Sequence, residues 1–126
     1  MSRVMTFNTA TVVIPIDMIV SAVNFTYSTT ATVGNRRVFI QWTNAAGDLK
    51  GNALASANQA AASGAVYSFF DGINSASVAD VAYSDALPSK WFVNRDDVLT
   101  ISDINGVDVA DVVDAVSLTF ELLGWP

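Results

Sequence analysis

Apolar and polar residues alternate with a period of two along most of this chain. The most informative run follows a Gly-Asn turn and predicts a strand with two distinct sides. Its two sides are Val38, Ile40 and Trp42 on one and Phe39, Gln41 and Thr43 on the other. The segment Asn44–Asp48 then has the composition of a hairpin loop, so a returning strand is expected from Leu49 onward.

The same period predicts the other strands. Ile19, Val23, Phe25 and Tyr27 are expected on one face of an early strand, and Val116, Leu118, Phe120 and Leu122 on one face of the last. Pro15 places Val12–Ile16 at a sheet edge or a crossover. Ala53–Ser63 lacks a helical stripe and a cap, which favours a strand with a loose loop. Further strands are predicted at Ala65–Phe70, Val78–Tyr83, Trp91–Val93 and Val98–Ser102.

About eight short strands separated by turn signals indicate an all-β protein. The prediction is a single-domain antiparallel β-sandwich, jelly-roll-like, that spans residues 1–126. No linker or repeat divides the chain, and residues 1–10 are a candidate flexible N-terminal arm.

The chain is poor in charge. It is 52% hydrophobic and 14% charged, against roughly 25% charged in ordinary globular proteins. Too few charges remain for a highly charged surface, which favours burial of the outer surface against partners. The alternative is a monomer covered by Ser, Thr and Asn. The net charge is −6 with no cationic run longer than Arg36-Arg37, which argues against nucleic-acid binding and against an anionic membrane surface.

The residue types also argue against catalysis. Cysteine and histidine are both absent, which removes the thiolate nucleophile, the usual general base and the commonest zinc ligands. Asp96-Asp97, with Asp80 and Asp85 nearby in sequence, could supply a carboxylate pair for glycoside hydrolysis, but surface acids beside Arg95 are the simpler interpretation. We therefore expect no enzyme, no catalytic residue and no cofactor.

The aspartate-rich segment Asp103–Asp111 superficially resembles a calcium loop, because oxygen ligands alternate around a glycine turn. The spacing departs from the EF-hand pattern, since the glycine comes too early and no glutamate closes the loop. A hairpin turn with solvated acids is the simpler interpretation, and no metal site is predicted.

Three residues are candidates for an interface. Arg36 and Arg37 open a strand, where each can anchor a partner or form a local salt bridge, and these two interpretations stay open. Trp125 is a candidate exposed contact because chain ends seldom reach the centre of a core. The aromatic residues Trp42, Trp91, Trp125, Tyr67 and Tyr83 could form a sugar-stacking platform, although the phase of Trp42 favours the core.

Several features in order resemble the head decoration (cement) and head-fibre proteins of tailed phages. These features are the Gly34-Asn35-Arg36 turn, the Gly47 hairpin, Gln59 before Ser63–Phe70, Leu87-Pro88, Asp96-Asp97 and a closing strand with Glu121. The resemblance implies a jelly roll that binds the outer surface of a phage head as a homodimer or homotrimer. Its partner would be the major capsid protein, and its location the capsid surface after assembly in the host cytoplasm.

No functional residue is carried over from the family, because its members contact their shells through varied loops. The sequence also leaves open a carbohydrate- or receptor-binding module of a phage fibre or tail. The host, the oligomer number and the symmetry position on a shell are not specified by the residues.

Overall fold

Two β-sheets packed face to face form the protein. The computed structural model describes residues 3–71, 82–87 and 89–122, and these contain strands but no helix, so none of them forms a helix that could cross a membrane. The strands in chain order are β1 (Arg3–Phe7), β2 (Thr11–Val13), β3 (Met18–Ser28), β4 (Val38–Thr43), β5 (Leu49–Leu54), β6 (Gly64–Asp71), β7 (Ala82–Leu87), β8 (Trp91–Val93), β9 (Val98–Asp103) and β10 (Val112–Leu122). The predicted all-β sandwich is confirmed.

The larger sheet has the strand order β1-β10-β3-β6-β7, and β8 pairs with the first part of β3. The smaller sheet has the order β2-β9-β4-β5. All pairs are antiparallel except β6 with β7, which run parallel. Parallel neighbours need a crossover connection in place of a hairpin, and the connecting residues 72–81 lie outside the described part of the chain.

The inward sides of the two sheets form one hydrophobic core. As the alternation in β4 predicts, Val38 and Ile40 are completely buried, and Trp42 packs against the core from a partly buried position. Stacked aromatic rings join the strands of the larger sheet: Tyr67 lies 5.1 Å from Phe25 and 4.7 Å from Tyr83 between ring centroids. Burial of such side chains contributes on the order of 1.5–3 kcal/mol each.

The prediction that Ile19 lies on the same face of β3 as Val23 and Phe25 is wrong. Thr119 pairs with Ala22 but Phe120 pairs with Val20, so Ser21 is an extra residue in a β-bulge. A bulge reverses the side to which the following residues point. Met18 and Val20 are therefore buried, whereas Ile19 faces outward.

The first two strands, β1 and β2, each form an edge of a sheet. Pro15 follows β2, which is the edge strand expected from the proline. Arg3–Phe7, in the candidate N-terminal arm, pairs along its length with β10 as the outer strand of the larger sheet. The loop after β5 contains no helix, in agreement with the prediction for Ala53–Ser63. Of the predicted strand Val78–Tyr83, residues 78–81 lie outside the described residues.

Candidate interaction surface and the loop pair beside it

Arg36 lies in the interior of the protein. It precedes β4 in the connection of residues 29–37, and the same alternation that buries Val38 turns its side chain inward, where its exposed fraction is 0%. The guanidinium donates to Asp111 at 2.9 Å through Nε and to the carbonyl oxygens of Thr32 and Gly34 at 2.8 and 2.7 Å through Nη1. The Arg36 guanidinium is thus not exposed to a partner, and the local salt bridge is the interpretation that applies.

The partner of Arg36 belongs to the aspartate-rich segment, which sequence analysis treated separately. Residues 104–111 connect β9 to β10 and pack against residues 29–37, and we call these two connections the loop pair. Asp111 accepts from Arg36, from the Tyr27 hydroxyl at 3.3 Å and from the Thr30 N–H at 2.9 Å. Burial alone would raise the pKa of Asp111, but the bonds from Arg36 and Thr30 outweigh it and hold that pKa below its ordinary value.

Asp108 binds the opposite connection through hydroxyl groups. Its Oδ2 accepts from Thr30 at 2.6 Å and Thr32 at 2.7 Å, and its Oδ1 accepts from the Ala110 N–H at 2.9 Å. The Thr30 hydroxyl, then the Ala110 N–H and the Thr32 hydroxyl, lower the pKa of Asp108 to about 2. Asp108 is therefore ionised at neutral pH, and its charge holds the two connections together.

Asp103 completes this arrangement at the end of β9. Its carboxylate accepts from the N–H groups of Arg37 and Asn105 at 2.8 and 2.9 Å and from that of Val107 at 2.9 Å. Every carboxylate oxygen of Asp103, Asp108 and Asp111 thus has a donor within the protein. Among the described residues no group of three or more acidic side chains is placed to hold a metal ion. These acids fasten loops and are not merely solvated, as the hairpin interpretation assumed.

A cleft of about 310 Å³ lies beside the loop pair. Ala10, Ile101 and Val113 supply apolar lining, and Tyr27 and the three aspartates supply polar lining. Burial, reinforced by the Asp111 carboxylate, raises the pKa of Tyr27 above its ordinary value, so its phenol stays protonated as a hydrogen-bond donor. The Tyr27 hydroxyl is thus one of the donors within the protein that satisfy the Asp111 carboxylate.

The candidate sugar-stacking aromatic residues lie largely inside the protein. Tyr67, Tyr83 and Trp91 are buried. Trp42 contacts Trp91 with ring centroids 5.5 Å apart and donates its indole N–H to Asp97 at 3.0 Å. Asp97, half of the candidate hydrolase pair, is itself buried and also accepts from the Asn94 N–H. Trp125 lies outside the described residues.

Arg37 occupies a different environment from Arg36. It is partly exposed, and it points to the outer side of the smaller sheet because it alternates with Arg36 and Val38. Its Nε donates to the Ala55 carbonyl oxygen at 2.8 Å, which holds the side chain beside the end of β5. Arg37 therefore remains a candidate interface residue, at the end of an outward row that continues with Phe39.

That row belongs to an outer surface which we call the small face. Its members share a register across β2, β9, β4 and β5 and point away from the core, and none of them is charged. They are Thr11, Val13, Phe39, Gln41, Thr43, Leu49, Asn52, Leu54, Val98, Thr100 and Ser102. The charged strand residues of this sheet are Lys50 and Asp103. Lys50 is exposed next to the inward-facing Gly51 and stands at the margin of the small face, beside the β4–β5 loop, whereas Asp103 serves the loop pair.

Comparison with known proteins identifies no relative of this chain. No family model, no curated protein and no solved structure matches it. The geometry above is therefore the basis for any functional assignment, together with the resemblance noted in the sequence.

Gln59 is a structural residue whose role sequence analysis missed. Its backbone forms a bridge with Arg36, its amide donates to the Tyr27 carbonyl oxygen at 2.8 Å, and its Oε1 accepts from Tyr67 at 2.8 Å. A buried amide satisfied on both sides fixes the position of Arg36 relative to the core. The contact between the two connections of the loop pair did have a signal in the sequence, because one connection is rich in threonine donors and the other in aspartate acceptors.

Proposed function

We propose that this chain is a structural, non-catalytic virion protein. It acts as a decoration (cement) protein that binds the major capsid protein on the outer surface of a tailed-phage head. Its location is the capsid surface, reached by assembly in the host cytoplasm. The ordered resemblance in the sequence supports this proposal, and a net charge of −6 favours a protein partner over nucleic acid.

The strand order supports a jelly roll, the fold that the resemblance implies. Without β7 and β8, each sheet has four strands, ordered β1-β10-β3-β6 and β2-β9-β4-β5. Among these eight strands the chain changes sheet at every connection except the β4–β5 hairpin. Two facing four-stranded sheets linked in this way are the arrangement expected of a jelly roll.

The small face is the observation that carries the proposal. Docking the centre of this surface on another protein removes no charge from water, because its cations, Lys50 and Arg37, stand at its margins, so the desolvation penalty is small. Threonine, glutamine and asparagine side chains there can pair with polar groups of the partner. Arg37 at one end offers a planar donor that suits a carboxylate of the shell. An uncharged centre with an arginine at its margin resembles a protein–protein interface.

The size of the small face fits a contact that is repeated many times. The eleven outward residues that define this face are fewer than the roughly 20–30 residues a side of a standard one-to-one interface. A contact of this size is weak by itself, but linked copies on a lattice bind with much higher avidity. The bound copies then stabilise the assembled shell by mass action.

Co-sedimentation with phage heads that lack their decoration protein tests this proposal. We expect the wild-type chain to bind and Gln41→Glu, at the centre of the small face, to lower the bound fraction at least about tenfold. Asn8→Glu adds the same charge in the exposed connection between β1 and β2 and should bind as wild type. Equal binding by both variants would exclude the small face as the contact. Failure of the wild type to bind, together with capture on host-surface glycans, would favour the fibre or tail module.

A further inference from the structure

Asn105 and Gly106 lie at an exposed turn of the loop pair. Asn105 is the only asparagine in the sequence that is followed by glycine. Both residues are exposed, and Gly106 has φ +61°. A Cβ at Gly106 would meet nothing within 4 Å beyond its chain neighbours. The peptide bond between the two residues is therefore open to water and is not crowded by another element.

An exposed Asn-Gly pair is prone to a spontaneous reaction of the side-chain amide. The glycine nitrogen loses its proton and attacks Cγ of the asparagine, because no Cβ on the glycine stands in the way. The N–Cγ bond forms, the Cγ–Nδ2 bond breaks, and ammonia leaves with the proton. Water then opens the five-membered imide. Opening at Cγ yields aspartate, whereas opening at the main-chain carbonyl carbon yields isoaspartate, in which the main chain runs through the former side chain.

The hydrogen bonds of the turn leave the Gly106 nitrogen accessible to this reaction. Its N–H donates to the Asp103 carbonyl oxygen at 3.1 Å. On either side, the N–H groups of Asn105 and Val107 donate to the Asp103 carboxylate at 2.9 Å. A neutral bond of 3.1 Å on an exposed turn exchanges for a bond to water at little cost. The Gly106 nitrogen can therefore lose its proton while the flanking bonds keep the turn in place.

We propose that Asn105 is a site of spontaneous modification, at which hydrolysis of the side-chain amide loosens the loop pair as the protein ages. In the unmodified chain, Nδ2 of Asn105 donates to the Asn35 carbonyl oxygen at 3.0 Å and so joins the two connections. Both products replace this donor with a carboxylate, which accepts hydrogen bonds and donates none. The proposal is independent of binding to a shell, because the reaction requires water alone.

The new charge enters a region in which acids already outnumber cations. Asp103, Asp108 and Asp111 lie in or beside the loop pair together with two cations, Arg36 and Arg37. A further carboxylate next to Asp103 increases the repulsion among these acids. The loss of one hydrogen bond between the connections is thus accompanied by a less favourable electrostatic energy.

Isoaspartate should have a larger structural effect than aspartate. It lengthens the main chain by one atom between the N–H groups of Asn105 and Val107. Both groups donate to the Asp103 carboxylate, so the extra atom moves them out of register with their acceptor. We therefore expect wild-type protein that has aged to be less stable than the variant Asn105→Asp, which contains the aspartate product alone.

Peptide mapping by mass spectrometry tests the proposal on the folded chain. Trypsin releases residues 96–126 as one peptide, in which Asn105 is the only side-chain amide. After incubation in mildly alkaline buffer, this peptide should gain about one dalton, the difference between an amide and an acid. The gain should be faster at higher pH, because the attacking nitrogen must lose its proton. Asn44 is the internal control, since it lies in a turn but is followed by Ala45, and its peptide should keep its mass.

Two variants connect the reaction with its effect on stability. Gly106→Ala places a Cβ beside the attacking nitrogen and meets no neighbouring element, so it should remain folded and prevent the mass gain. Its melting temperature should stay constant during incubation, whereas that of the wild type should fall. Asn105→Asp should melt about 2–5 °C below fresh wild-type protein, because it lacks the bond to Asn35.

Three results would overturn the proposal. The first is a folded chain that keeps its mass at Asn105 while the same chain in urea reacts completely. The second is an equal mass gain in the peptide that contains Asn44, which would remove the special role of the Asn-Gly pair. The third is a complete reaction at Asn105 with an unchanged melting temperature, which would reject the loosening of the loop pair.

Discussion

The loop pair and the small face use the chain's few charges in opposite ways. In the loop pair, three aspartates and Arg36 are joined to donors and acceptors of the protein itself. On the small face, the strand residues in register carry no charge. Ionic groups thus serve to hold loops in place, whereas neutral polar and apolar groups form the outer surface. In a chain with so few charged residues, a charge at a loop is better evidence of internal fastening than of partner recognition.

Replacement of Arg36, the buried cation of the loop pair, should cause the largest loss of stability. Arg36→Met leaves the Asp111 carboxylate buried without its cation and deprives two carbonyl oxygens of their donor. We expect the melting temperature to fall by at least about 10 °C. The matched variant Arg37→Met removes a partly exposed arginine and should lower it by no more than about 4 °C. Similar shifts in thermal denaturation would contradict the different roles assigned to the two arginines.

A smaller effect is expected where the two connections touch. Gly34 has φ +141°, and a Cβ there would lie 3.0 Å from Cγ1 of Val107. Gly34→Ala should therefore reduce the free energy of unfolding in urea by about 1–3 kcal/mol. Gly47→Ala is the control, since Gly47 also has positive φ but open space around it. If adding Val107→Ala to the Gly34→Ala variant restores none of the lost free energy of unfolding, the close contact with Val107 is not the cause of the loss.

Lowering the pH should destabilise the loop pair, because its contacts depend on ionised aspartates. The pKa of Asp108 is lowered from 3.8 to about 2. A carboxyl group whose folded pKa lies below its unfolded value stabilises the fold above the unfolded pKa. This stabilisation is lost as the pH falls from about 4 toward 2. Melting temperatures measured across that range should fall less steeply for Asp108→Asn than for wild type. Asp96→Asn should keep the wild-type slope, and an unchanged slope in Asp108→Asn would argue against this role.

The parts of this structure that depend on local alternation could be predicted from sequence. β4 illustrates this, because the sides of Val38 and Phe39 follow from period two alone. Ile19 shows the limit: the bulge at Ser21 is set by the pairing of β3 with β10, which local patterns do not contain. The small face was visible as the outer side of β4, but its extent depends on which strands become neighbours.

Arg36 and Arg37 show why the candidate site was only half predictable. Alternation assigns the two side chains to opposite sides, yet it does not reveal which one finds a buried acid. The acid is Asp111, 75 residues further along the chain. The aspartate-rich segment was recognised as unusual, but its function as an acceptor for the threonine-rich connection follows from tertiary structure alone.

The position of β10 has a consequence for biosynthesis. β10 lies between β1 and β3, and Arg3 pairs with Phe120. During translation both early strands must wait for this late segment before the larger sheet can close. Such long-range pairing makes folding slow, and during this interval the unpaired edges of β1 and β3 are open to other nascent chains. We therefore expect the yield of folded protein to depend on how well the cell protects the growing chain until β10 has left the ribosome.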